Sequence, residues 1–139
     1  MRREETGSAL IESILIALLF MVPLIWLLGV LSDLHRGALA STAAAREAGA
    51  DAARATSIAD AERAVEVAVA QAFRDHGLDP ADADVSWTSS GLERGGAVEI
   101  RVGYAVTVLQ APFLGRVAGP SVDIRATHIA RVDPFRSRP

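Results

Sequence analysis

Glu12 is the one ionisable side chain set inside the most apolar part of the chain. It stands just ahead of residues 14–31 (I-L-I-A-L-L-F-M-V-P-L-I-W-L-L-G-V-L), eighteen consecutive residues without a charge. Apolar surroundings disfavour the charged form of a carboxylate, so such a group needs a cation or a proton. On a lipid-facing helix it costs about 2.5–3.5 kcal/mol at mid-membrane, and less near an end. A stretch that served only as an anchor gains nothing from it. Glu12 therefore points to a charge that is offset when another group arrives.

The other reactive side chains do not assemble into a recognisable centre. His35, His76 and His128 are scattered. His128 falls on the apolar register of a predicted strand, where a lone His reads as hydrogen-bonded core before ligand or base. Asp79, Asp82 and Asp84 alternate around Pro80 but lack the Gly and distal Glu of an EF-hand loop. Glu62 and Glu66, four apart on a predicted helix, read as solvated. There is no H-x-x-x-H, G-x-S-x-G, Walker or G-x-G-x-x-G pattern. Without cysteine, disulfides, thiolate nucleophiles and cysteine metal sites are excluded. The expectation is a non-enzyme with no cofactor, no metal and no small-molecule substrate.

The element that positions Glu12 is a helix. Eighteen apolar residues rise roughly 27 Å, close to the ~30 Å hydrocarbon thickness of a bilayer. A transmembrane helix is predicted over residues 8–31. Arg2 and Arg3 precede it, and Asp33, His35 and Arg36 follow. That basic excess favours a cytoplasmic N-terminus and an extracytoplasmic C-terminal domain. The apolar run is longer than a secretory signal core, and Leu31-Ser32-Asp33-Leu34 is a poor cleavage site. Pro23 removes one helical hydrogen bond and favours a kink, while Gly29 is of the type that marks close packing in membrane helices. Beyond residue 31 there are twelve Arg and fourteen Asp or Glu. That balance argues against nucleic acid. All basic residues are Arg and none is Lys, which in so Ala-rich a chain reads as coding bias. The mean hydropathy of +0.27 is raised by the span.

A Gly directly before the apolar run, with a Glu five residues on, resembles the processing site of type IV pilins and their relatives. In that family a prepilin peptidase cuts after the Gly on the cytoplasmic side, and the apolar helix is kept. The resemblance implies a scissile bond between Gly7 and Ser8, a removed leader over residues 1–7, and Glu12 as the fifth residue of the mature chain. An α-amino group has a pKa of about 7.7–8 and is largely protonated near neutral pH. Glu12 of one subunit then meets the new amine of another. Further along, Ala44-Ala45-Arg46-Glu47-Ala48-Gly49-Ala50 resembles the A-A-R-E-G-A-R stretch after the anchor of TadE-like proteins of tight-adherence (Flp-type) pilus systems. Ala45, Arg46, Glu47 and Gly49 carry that likeness. This chain has Ser13 where those proteins have Phe or Tyr, and A-G-A-D where they have G-A-R. The segment P-F-L-G-R-V-A-G-P resembles the connection before the last strand of actinobacterial TadE-like pilins. A core satellite cluster is the equal reading of it. The resemblance implies a minor pilin or pseudopilin in the cytoplasmic membrane, assembled through residues such as Glu12 and Pro23. Its expected partners are prepilin peptidase and other pilin subunits, with no nucleic acid. A single-pass anchor presenting a binding or sensor domain is the alternative. An anchored hydrolase would need a nucleophile and base not found here.

The remaining elements follow from periodicity. Residues 32–55 read as an Ala-rich continuation of the first helix, closely approachable because its stripe is Ala. Ser57 and Asp60 form a capping arrangement for a second, amphipathic helix whose face is Ile58, Ala61, Val65, Ala68, Val69, Ala72 and Phe73. Gly77 and Pro80 stop it. The period then changes to two: Val85 and Trp87; Val98 to Val108; Val122 to Ala130. Gly91 to Gly96 is a turn, and residues 111–120 are a Pro/Gly loop. The predicted fold is α+β: long transmembrane helix, Ala-rich extension, amphipathic helix, then a three-stranded antiparallel sheet. The domain is placed at 56–132, with its sheet covered by the second helix, and a polar tail at 133–139.

Overall fold

The computed structural model describes residues 4–108 and 119–135, with side chains from residue 9 onward. Its elements are α1 (Glu4–Arg54), α2 (Ile58–Asp75), a short 3-10 turn (Pro80–Asp82), β1 (Ala83–Ser89), β2 (Ala97–Thr107) and β3 (Ser121–Arg131). The strands form one antiparallel sheet in the order β1-β2-β3. This is the α+β arrangement expected from the sequence. The Pro/Gly loop expected at 111–120 lies outside the described residues except for Gly119 and Pro120, and the tail does so beyond Phe135.

The chain divides into two compact units between Asp33 and Leu34. The second contains the back half of α1 as well as everything after it. Ala40, Ala44, Ala45, Ala48 and Ala52 are buried in the core, beside Val98, Ile100 and Val102 of β2. The sequence placed the domain at 56 onward and gave α2 alone as the cover. In the structure the compact unit begins at Leu34, and two helices cover one face of the sheet. The physical reason is close approach. An Ala stripe offers little area per residue, but with no large side chains in the way a sheet can settle onto the helix backbone. Gly37 and Gly49 mark the nearest points: a Cβ on Gly37 would stand 2.8 Å from Tyr104 Cδ1, and one on Gly49 3.0 Å from His128 Cδ2. Each Gly lowers helix propensity by about 1 kcal/mol against Ala, which the contact offsets. Ser41 is fully buried in this segment, and its Oγ has no hydrogen-bond partner among the described residues.

α2 begins at Ser57, whose Oγ accepts from Asp60 N–H at 3.1 Å. The Asp60 carboxylate in turn takes the Thr56 hydroxyl at 2.8 Å and the Arg63 guanidinium at 2.7 Å. At the far end Gly77 (φ 71) donates to Arg74 O, and Leu78 N–H reaches back to Phe73 O at 2.9 Å. This is a Schellman closure, and the positive φ is what requires glycine there. Six of the seven expected face residues are buried; Ile58, in the first turn, is 57% exposed. Phe73 is fully buried and meets Tyr104 edge-on, centroids 5.7 Å apart. On β2, Val98, Ile100, Val102 and Val106 point into the core, and Glu99, Arg101, Gly103 and Ala105 lie on the opposite face.

Candidate functional site

The first unit is the apolar half of α1. Its large apolar side chains from Leu10 to Leu31 are between 43% and 72% exposed, except Val30, which is half-buried. An eighteen-residue window averages a hydropathy of 2.9, and none of it is buried. An amphipathic helix hides one stripe; a helix apolar all round belongs in lipid or among other apolar helices. By length and composition this helix can cross a membrane.

Glu12 sits at the head of this surface, exposed. Beside it the Ser13 hydroxyl donates to Ala9 O at 2.8 Å. Ser13 is thereby satisfied within the helix, and Glu12 has no hydrogen-bond or ion-pair partner among the described residues. The Gly7–Ser8 peptide lies in the first turns of α1. α1 continues unbroken through Pro23. A Cβ at Gly29 would meet nothing within 4 Å, so the notch at Gly29 is available to a neighbour.

The second motif lies in the other unit, and the structure separates its members by role. Ala45 and Gly49 are buried, Gly49 against His128, Ala130 and Ile100. Arg46 and Glu47 are exposed. Half of the motif packs the helix onto the sheet; the other half faces solvent.

The remaining candidates resolve into structural parts. Asp79 Oδ1 accepts from Ala81 N–H at 2.9 Å, capping the 3-10 turn. His76 Nδ1 lies 2.8 Å from Ala72 O. His128 lines a recess of about 510 Å³ with Arg54, Arg131 and Asp133, and among the described residues no Ser or Thr lines it. Among the described residues no three His, Asp or Glu side chains could hold a metal ion.

Glu62 and Glu66 are exposed, as expected of solvated carboxylates, and with Arg74, Val65, Val69, Val85 and Trp87 they line a groove of about 510 Å³ between α2 and β1. The like-charged pair one helical turn apart is the signal that marks it. Comparison with known protein families, curated proteins and solved structures finds no match.

Proposed function

We propose that this chain is a pilin-like subunit of the TadE-like, tight-adherence type, held in the cytoplasmic membrane by the apolar half of α1. In this reading prepilin peptidase cuts between Gly7 and Ser8 from the cytoplasmic side. The helix is retained, and Glu12 of one subunit pairs with the freed Ser8 amine of its neighbour. The residues from Leu34 onward form the extracytoplasmic domain, which supports pilus biogenesis or adhesion.

The observation that carries the reading is Glu12: a carboxylate with no partner among the described residues, at the head of a helix whose apolar side chains are largely exposed. A lone anchor is destabilised by that charge, whereas an assembling helix is directed by it. The test is the mature N-terminus by mass spectrometry, in cells with and without the peptidase. The expected result is a chain beginning at Ser8 only where the peptidase is present. Intact Met1 in both strains overturns the proposal. Silence of Gly7→Ala and Glu12→Ala in the same cells would favour a plain single-pass anchor presenting the domain.

A further inference from the structure

The groove between α2 and the sheet adjoins an open strand edge. β1 pairs with β2 alone among the described residues, so the backbone groups along its other edge can accept a further strand. Glu62 and Glu66 line this groove together with one cation, Arg74; both carboxylates are exposed and have no ion-pair partner among the described residues. Like charges four apart on a helix repel by a few tenths of a kcal/mol, so their placement here works against α2 unless something basic meets them. The geometry of that something is fixed by two repeats. Four helical residues rise about 6 Å, and two strand residues about 6.6 Å. A strand with Arg at alternate positions therefore carries its charges at nearly the spacing of the two carboxylates. The chain holds one Arg-x-Arg sequence, Arg136-Ser137-Arg138. It follows β3, at the opposite edge of the sheet from β1, and Phe135 just before it is 89% exposed.

We propose that the groove receives the Arg136-Ser137-Arg138 segment of a second copy of this chain, added as a strand to β1. The guanidinium groups pair with Glu62 and Glu66, and an arginine stem lies across Trp87. This contact is separate from the membrane helix and does not rest on the pilin reading. The test uses the full chain in detergent micelles, carrying Arg136→Ser and Arg138→Ser so that its groove is vacant. A labelled peptide of residues 132–139 (V-D-P-F-R-S-R-P) is titrated in and followed by fluorescence anisotropy. Saturable binding is expected, weaker at higher salt. It should fall about fivefold to tenfold when Glu62→Gln and Glu66→Gln are added, as two exposed ion pairs imply. Glu12→Leu should leave it unchanged. By sedimentation, the wild-type chain should self-associate more than the Arg136→Ser/Arg138→Ser chain. Absent binding, or equal binding to the Gln variant, overturns the proposal. So does equal self-association of the two chains, which would place the tail in its own groove or nowhere.

Discussion

Adding a methyl group at Gly37 or Gly49 tests whether the sheet rests on the helix backbone as the structure has it. In an exposed helix, Gly→Ala stabilises by about 1 kcal/mol. At Gly37 the new Cβ would stand 2.8 Å from Tyr104 Cδ1, 3.0 Å from Ile124 Cδ1 and 3.2 Å from Tyr104 Cε1. No real Cβ sits that close, so the Tyr104 ring must move. That ring is already engaged edge-on with Phe73. Overpacking of this kind costs about 1–3 kcal/mol. Set against the gain in propensity, Gly37→Ala should lower stability by roughly 0–2 kcal/mol. At Gly49 the contacts are 3.0 Å to His128 Cδ2 and 3.3 Å to Ala130 Cβ. A small rotation of the imidazole relieves the first, so the net loss should be smaller, about 0–1 kcal/mol.

The control is Thr42→Ala on the exposed side of the same helix, which should gain a few tenths of a kcal/mol from propensity alone. Thermal unfolding of the second unit, followed by circular dichroism in micelles, separates the three. For a domain of this size each 1 kcal/mol moves the midpoint by about 4–8 °C. The reasoning predicts a rise for Thr42→Ala, little change for Gly49→Ala and a fall for Gly37→Ala. A rise at all three positions would mean that the helix stands clear of the sheet, and the account of the core would be refuted.

Glu12→Leu should leave membrane insertion intact and reduce recovery in sheared pilus fractions; equal recovery counts against Glu12 as the assembly residue. Ser41→Ala removes a buried hydroxyl with no partner among the described residues, so it should hold stability or raise it by up to about 1 kcal/mol, and a clear fall in the midpoint would reveal a partner for Ser41. The Asp60 carboxyl is held below its usual value of 3.8, first by the Thr56 hydroxyl and then by Ser57. A depressed folded-state pKa stabilises above the unfolded value, and that stabilisation is lost as pH falls through the folded one. Asp60→Asn should therefore lower stability at neutral pH and flatten the decline below about pH 3.8, as read by acid titration of the unfolding midpoint.

Some of this architecture was legible in the residues, for identifiable reasons. Val98 to Val106 alternates cleanly because one face of β2 meets a core and the other meets water. The ends of α2 were legible because Ser57 and Gly77 do jobs that few other residues can. The role of residues 34–54 was hidden. Periodicity is read from large apolar side chains, and this segment buries only Ala, Gly and Ser, whose value lies in how near another element can come. Tyr104 sits 67 residues beyond Gly37 and His128 79 beyond Gly49, where no local pattern links them. Ile58 misled for the opposite reason: it has the right spacing, but it lies in the first turn of α2, where it stays exposed. The α2–β1 groove was invisible because Glu62, Glu66 and Trp87 come together only through the fold.

The two halves of α1 show why one carboxylate can matter so much. In the second unit, association follows from removing apolar surface from water, and Ala is enough because the sheet can come close. In the first unit that force is absent once the helix is in lipid, since acyl chains are as apolar as Leu and Ile. Exposed Leu, Ile, Phe and Val then hold the helix in the membrane without choosing any neighbour. Selection between lipid and protein must come from polar groups or from notches that permit close packing. Ser13 is spent on its own backbone, and Gly29 offers a notch but no charge. Among the described residues of the apolar span, Glu12 is the group whose energy changes most when a cationic chain end replaces lipid. An assembly built on this helix would take its direction and its axial offset from that residue.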